Sequence, residues 1–484
     1  PWVLEGVLYE WLSAANHGWT MAPGLLHGAY ECLRHHGSDA LKQTYLGKVA
    51  SGEWLATMCL TEPHAGSDLG LARTQAVPRA DGGFALRGTK IFISGGEHDL
   101  TENIVHLVLA KIPGGPPGTK GISLFIVPKF LVEADGSVGP RNDVAISGLN
   151  HKMGQRGITN TVLNFNGAVG YLVGEPHRGI VYMFHMMNEA RLGVGMGAVA
   201  LGYTGYLKSL QYALERPQGR PITSKDPTSP QVPIVEHADV KRMLLAQKSY
   251  VEGALALALY CARLVDRQDS ADSDAERDQA GLLLDILTPI AKSWPSQWCL
   301  EANSLAIQVL GGYGYTREYD VEQHYRDNRL NPIHEGTHGI QSLDLLGRKV
   351  TQRDGASLVA LGGCITECID AADNVGGESA ELAAALSGSW QRLVEVTMAM
   401  FGSGDIEAAM ANSAVYLEAF GHIVIAWMWL EQFLAAGDQP GDFYDGKRQA
   451  ARYFFRYELP RTAAQLRLLE SLDRTTLEMR PDWF

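Results

Sequence analysis

Asn331-Pro332-Ile333-His334-Glu335-Gly336-Thr337-His338-Gly339-Ile340-Gln341 is a polar, glycine-containing run between long amphipathic patterns, and it feeds directly into Ser342-Leu343-Asp344-Leu345-Leu346. Its reading fixes where a helix begins, and two chemistries compete for it. His334-Glu335-x-x-His338 fits the zinc-peptidase pattern, in which one helical turn separates two histidines and the glutamate is a base. Alternatively, Glu335 is a lone carboxylate base and Gly336-Thr337 opens a helix beside a bound cofactor. The zinc reading needs a third protein ligand. Gln341 and Asp344 stand where the extended motif wants Gly and His, and the next glutamate is Glu367. Pro332 and Gly336 mark a helix start rather than a helix middle.

Downstream, residues 355–475 read as a helical block closed by Arg452-Tyr453-Phe454-Phe455-Arg456-Tyr457. Upstream, helical periodicity covers about 179–216, 233–268, 274–309 and 339–351. Pro217, Pro221, Pro227, Pro230 and Pro233 break the first pair, and Pro289 and Pro295 are expected to kink the third pattern. Residues 53–175 change character. Trp54–Leu60, Phe84–Leu86, Lys90–Ser94, Ile104–Ile112, Gly121–Val127 and Thr161–Phe165 are short β-type runs divided by Gly/Pro/Asp turns, the spacing of a small antiparallel sheet or barrel. Residues 1 to about 50 are helical again. Helices, strands and more helices in separate blocks imply an α+β assembly, mostly α.

The 484 residues carry a net charge of −13, which argues against a general nucleic-acid binder. No apolar run reaches the length of a membrane span. The six cysteines lack any CxxC and read as free thiols of a reducing compartment, hence a cytoplasmic location. Pro1 is followed at once by what reads as helix interior, so the start looks cut and says nothing of a signal peptide.

Gly195-Met196-Gly197-Ala198-Val199-Ala200 fits the dinucleotide fingerprint in spacing, but it lies inside a helical pattern and not after a strand. Gly193, Gly197, Ala200 and Gly205 read instead as close helix packing. More telling is Leu60-Thr61-Glu62-Pro63-His64-Ala65-Gly66-Ser67-Asp68-Leu69-Gly70, a strand end running into a Gly/Ser loop whose backbone N–H groups and hydroxyls suit a phosphate or an electron-rich ring. Phe92-Ile93-Ser94-Gly95-Gly96 and Gln308-Val309-Leu310-Gly311-Gly312-Tyr313-Gly314-Tyr315 are further loops of this kind.

In this order, Thr61-Glu62-Pro63-x-Ala65-Gly66-Ser67-Asp68, Lys152-Met153-Gly154-Gln155-Arg156, Gln308-x-Leu310-Gly311-Gly312-x-Gly314-Tyr315, Arg326-Asp327 and Glu335-Gly336-Thr337 resemble the acyl-CoA dehydrogenases from about residue 10 to 350. Gly95-Gly96-Glu97-His98-Asp99, Lys120 to Lys129, Met186 to Leu192 and the block after 350 look like the subgroup of large bacterial members that includes 3-methylmercaptopropionyl-CoA dehydrogenase. The resemblance implies an incomplete N-terminal helical domain (1–54), a β domain (55–176), a helical bundle carrying the base (177–351) and a C-terminal helical extension (352–484). It implies FAD as cofactor and α,β-dehydrogenation of an acyl-CoA thioester to the trans-2-enoyl-CoA. Glu335 would remove the α-proton and FAD would accept the β-hydride.

By the same resemblance, Met58, Leu60, Thr61, Gly66, Ser67, Phe92 and Ser94 would surround the flavin. Arg216 would meet the pyrophosphate, Gln308 and Gly312 the FAD of a neighbouring subunit, and Thr337 the FAD near the base. Ser67, Asn188, Arg191 and Gly336 would contact the substrate. A homo-oligomer, a dimer by preference, and an electron-transfer flavoprotein as acceptor follow. His334 departs from the family's usual Tyr, Ala238 from a Gln, and the Pro217–Pro233 loop is longer than usual. The fold also includes alkylation-response flavoproteins that bind DNA. That activity needs a basic surface, and residues 440–484 are nearly balanced, with eight Lys/Arg against seven Asp/Glu.

Overall fold

The computed structural model describes residues 1–484 apart from Lys225, Pro227 and the side chains of His185 and Asn188. The chain divides into two compact units: Ala15–Gly193, and Pro1–Ala14 with Val194–Phe484. The longer helices are α1 Trp2–Thr20, α2 Gly24–His36, α3 Gly179–Glu215, α4 Ala238–Ser270, α5 Asp274–Leu310, α6 Val321–Asn328, α7 His338–Asp344, α8 Gln352–Val375, α9 Glu378–Gly402, α10 Ser413–Ala436, α11 Asp442–Tyr453 and α12 Thr462–Glu470. The strands are β1 Trp54–Cys59, β2 Gln75–Pro78, β3 Phe84–Ser94, β4 Asn103–Lys111, β5 Ile122–Pro128, β6 Phe130–Val132, β7 Val138–Arg141, β8 Val144–Leu149 and β9 Asn160–Val173. The chain is α+β and mostly α, as expected.

In the first unit, the ladders β4–β5–β9–β3–β2 return to β4 through Gln75 and Lys111, so the pairing closes on itself. Most ladders are antiparallel, but β1 pairs with β4 in parallel, with Trp54 opposite Asn103, and the sheet is therefore mixed. The expectation of an antiparallel sheet is corrected there. The β2–β3 hairpin lies between β1 and β4 in the chain, so no tight turn dictates their direction. β4 and β5 read as unbroken apolar runs because both faces are covered. Val105, Leu107, Leu109, Leu124 and Ile126 pack with Cys32 and Leu33 of α2 and Met183 and Met186 of α3. Val108, Ala110, Phe125 and Val127 pack with Leu86, Leu163 and Phe165. Among these apolar neighbours, Thr57 Oγ1 meets His106 Nδ1 at 2.7 Å, and burial pushes the imidazole down to about 3.

In the second unit, α5 is a single helix with Pro289 and Pro295 inside it, the two residues at which a kink was expected. Proline at 295 removes the N–H that would bond the Ala291 carbonyl. A Cβ on Gly195 would lie 2.0 Å from that carbonyl oxygen, so α3 approaches α5 backbone to backbone at this point. Gly202 and Gly205 likewise face Cys299 and Asn303 of α5. Close packing, rather than nucleotide binding, accounts for the glycine pattern, although Gly195 and Gly202 carry the contact where Gly193 was expected to.

Among the described residues, two helices, α8 and α10, are long and apolar enough to cross a membrane by length and composition, which corrects the reading that no run reaches that length. In α10, 83% of the apolar window is buried inside the protein. Trp427 and Trp429 are fully buried in it, and the Trp429 indole N–H donates to the Ser249 carbonyl of α4 at 2.9 Å.

Candidate active site

The Glu335 loop is built on α5, α6 and α7. Helix α7 begins at His338, and its N-cap is Thr337, whose hydroxyl oxygen accepts from the Ile340 N–H at 3.3 Å. The helix start expected from Gly336-Thr337 is therefore present. His334 lies before that start, so the single helix that the two-histidine zinc pattern requires is not formed here. The Lys292 ammonium also stands close to His338. Burial and that charge both push the His338 imidazole below its ordinary value.

Glu335 is half-buried and has φ 53°, the left-handed region that only over-determined non-glycine residues hold. Gly336 follows at φ 86°. What holds this backbone is a set of fully buried polar side chains. Lys292 Nζ donates to the Asn331 carbonyl at 2.8 Å and to the Gly336 carbonyl at 2.7 Å. Gln341 Nε2 donates to the Glu335 carbonyl at 3.0 Å. A chain of amides continues into α3. Asn331 Nδ2 donates to Asn328 Oδ1 at 2.9 Å, Asn328 Nδ2 to Asn303 Oδ1 at 2.8 Å, and Asn303 Nδ2 to the Leu201 carbonyl at 2.9 Å. At its other end, Asn331 Oδ1 lies 3.1 Å from His334 Nε2. His334 thus faces an asparagine of its own loop. Behind this loop, Ser342 of α7 pairs with Ser413 at the start of α10 at 3.0 Å.

Sequence reasoning missed Lys292, Asn303, Asn328 and Gln341. The available signal was polar residues inside otherwise apolar helical patterns, which a binary reading assigns to the solvent side.

The same unit holds a pocket of about 450 Å3 lined by Tyr212, Arg216, Ile234, Leu310, Gly312 and Tyr313, among others. The Ile234 N–H donates to the Arg216 carbonyl at 2.9 Å, which ties the base of the 217–233 loop. The Arg216 guanidinium lies 5.7 Å from the centroid of Tyr313. Gly311, at φ 61°, ends α5, and a Cβ on Gly311 or Gly312 would meet nothing within 4 Å. Gln308 is exposed on the last turn of α5. One cation, aromatic walls and bare backbone suit an anionic, ring-bearing group such as the dinucleotide part of FAD.

In the other unit, the Thr61 loop is fixed by a buried ion pair. Glu62 accepts from the Arg73 N–H at 2.7 Å, the Thr74 N–H at 3.0 Å and Lys90 Nζ at 2.9 Å. Lys90 also donates to the Leu60 carbonyl at 2.8 Å, and the Ile91 N–H to the Thr61 carbonyl at 3.0 Å. Burial alone would raise the Glu62 carboxyl, but the Lys90 ammonium and these donors outweigh it and hold the group at about 2. Burial lowers the Lys90 ammonium.

The β3–β9 register shifts between Lys90 and Ile93, and inside that bulge Phe92 adopts φ 62° and remains 62% exposed. Bulges re-aim side chains in this way beside functional sites. Ser94 accepts from Asn160 Nδ2 at 3.3 Å, Met58 and Leu60 are half-buried, and Gly66 and Ser67 are exposed. The loop presents hydroxyls and an aromatic edge, which fits a flavin ring. Arg191 is buried with its guanidinium 5.9 Å from the Phe184 ring centroid. The Asn188 side chain lies outside the described residues.

Residues 57–168 match the acyl-CoA dehydrogenase middle domain, 177–350 the acyl-CoA dehydrogenase C-terminal domain, and 362–480 the acetyl-CoA dehydrogenase C-terminal-like domain. The chain belongs to the acyl-CoA dehydrogenase family.

This acyl-CoA dehydrogenase is 41% identical to 3-methylmercaptopropionyl-CoA dehydrogenase of Ruegeria pomeroyi over 90% of its own length and 74% of that protein's. It is 36% identical to the broad-specificity linear acyl-CoA dehydrogenase FadE5 of Mycobacterium tuberculosis over 99% and 82% of the two chains. Among solved structures, an acyl-CoA dehydrogenase of Bacillus anthracis complexed with FAD shares its fold. The TM-score is 0.76 at 22% identity, over 98% of this chain and 81% of that one. As a family member it is an FAD-dependent oxidoreductase acting on CH–CH groups, within the subgroup expected from sequence.

Proposed function

We propose that Glu335 is the base that removes the α-proton of an acyl-CoA thioester, giving the trans-2-enoyl-CoA. The observation that carries this reading is a half-buried glutamate at φ 53° whose flanking carbonyls are held by buried donors. A free glutamate, with pKa near ~4.3, is too weak a base for an ordinary C–H. Two features of the chain reduce the mismatch. A carboxylate fixed on a strained, over-determined backbone needs little further ordering when the substrate arrives. The backbone N–H of Glu335 itself would donate to the thioester oxygen and stabilise the enolate-like charge.

FAD, when bound, supplies the two-electron oxidising chemistry that accepts the β-hydride. Met58, Leu60, Thr61, Gly66, Ser67, Phe92 and Ser94 would hold its ring. Arg216 would meet its pyrophosphate, and Gln308 and Gly312 the FAD of a neighbouring subunit; Arg216 and Gly312 line one pocket. Thr337 keeps a hydroxyl hydrogen to donate while its oxygen caps α7. Ser67, Asn188, Arg191 and Gly336 would contact the CoA thioester. The domain boundaries proposed from the family are 1–54, 55–176, 177–351 and 352–484. An electron-transfer flavoprotein as acceptor, a homodimer joined near the Gln308–Tyr315 turn, and a cytoplasmic location suited to six free thiols complete the proposal.

The test is a panel of acyl-CoA thioesters assayed with an artificial electron acceptor, after the flavin spectrum has been recorded. Glu335→Gln is expected to keep the flavin and lose turnover by about 10²–10⁴-fold, the usual share of a general base. Unchanged turnover in a flavin-loaded variant would remove Glu335 from this role.

A further inference from the structure

Lys292 is a fully buried lysine on α5, inside a helix whose other buried positions, Asn303 apart, are apolar or small. Its ammonium is spent on the Glu335 loop. One N–H reaches the Asn331 carbonyl at 2.8 Å and another the Gly336 carbonyl at 2.7 Å, so a single charged group holds the chain on both sides of Glu335. Gln341 takes the carbonyl between them, that of Glu335 itself. With the Asn331 carbonyl held before Glu335 and the Glu335 and Gly336 carbonyls held after it, the chain is restrained on both sides of the residue. The residue then stays at φ 53°, from which an unrestrained glutamate would relax. Hydrogen bonds from an ionised donor are about twice as strong as neutral ones, which suits a strained segment.

We propose that Lys292 is a positioning residue for the α-proton transfer: it sets the direction of the Glu335 carboxylate without touching substrate. The inference rests on the reading of Glu335 as the base. A group that acts only by aiming the base contributes in the transition state and little to thioester binding, so its loss lowers kcat and kcat/KM together and leaves KM in place.

Lys292→Met in the full flavin-loaded chain is expected to lower kcat by about 30-fold or more, in line with the roughly hundredfold effect of a small misplacement. KM for the acyl-CoA should stay within about threefold, and the flavin spectrum should be unchanged. Lys292→Gln keeps an uncharged donor and should lose about tenfold in kcat, so the test survives if the Met variant does not fold. Hydrogen exchange gives a second readout: amides of residues 333–341 should exchange faster in both variants, while those of α4 and α10 should not. A kcat within twofold of wild type in either folded variant overturns the proposal, as does a loss that appears in KM or flavin occupancy instead. If wild type oxidises no acyl-CoA, or Glu335→Gln turns over normally, the catalytic reading fails, and the exchange data still report whether Lys292 holds the loop.

Discussion

The Thr61 loop and the Glu335 loop are both tied down by a buried lysine that donates to backbone carbonyls, yet the side chains that these two loops contain differ. Lys90 shares its loop with Glu62, and the carboxylate collects two backbone N–H groups as well as the ammonium. The loop that Lys292 grips contains amides instead: Asn328, Asn331 and Gln341, with Glu335 the one carboxylate between residues 328 and 341. A loop that shapes a binding surface can use an ion pair as a rivet. A loop that presents a base keeps second carboxylates away, because a neighbouring anion would compete for the same donors and couple to the titration of the base.

The contrast can be broken most severely at Lys90. Lys90→Met strands Glu62 as an uncompensated buried carboxylate and should cost about 3–5 kcal/mol, measured as a fall in the denaturant midpoint. Adding Glu62→Gln should recover part of it. Equal stability of the Lys90→Met variant and wild type would show that the pair is not the rivet described.

The converse change puts a carboxylate where the Glu335 loop has none. Asn331→Asp removes the donor to Asn328 Oδ1 and buries a charge beside it. The expected loss is roughly 2–3 kcal/mol, together with slower turnover. A variant as stable and as fast as wild type would show that the loop tolerates a second anion.

The smallest effect is a pH slope. The folded Glu62 carboxyl sits at about 2, below the ordinary value near ~4.3 of an unfolded chain. The stability this contributes is complete above the unfolded value and drains away as pH falls toward about 2. Glu62→Gln should flatten the stability curve in that window and leave its shape at neutral pH unchanged.

What could be read from the sequence was local. The helix start at Thr337 and the helical blocks follow from turn chemistry and periodicity, whereas the β runs were only partly legible: Phe84–Leu86 and Lys90–Ser94 join in β3, Thr161–Phe165 extends to Val173 in β9, and β2 and β6 to β8 were not among the expected runs. Burial of Lys292 and Lys90 was not legible, because periodicity assigns lysine to solvent and only the folded partner carbonyls make it an interior residue. The eversion of Phe92 depends on a register shift against β9, some 70 residues on in sequence, and the parallel β1–β4 ladder depends on a pairing partner that no local pattern names. Pro289 and Pro295 lie inside α5, and the Ala291 carbonyl that Pro295 leaves without its helical partner faces α3 at Gly195.

The covering of α4 and α5 by α10 bears on synthesis. Trp294 and Tyr250 present an aromatic face that is sealed by His422, Gly421 and their neighbours, residues made more than a hundred positions later. At ribosomal rates of about 5–20 residues per second, that face stays uncovered for on the order of ten seconds after α5 has emerged. The nascent chain is then at its stickiest, and this interval is where a chaperone dependence of the enzyme would arise.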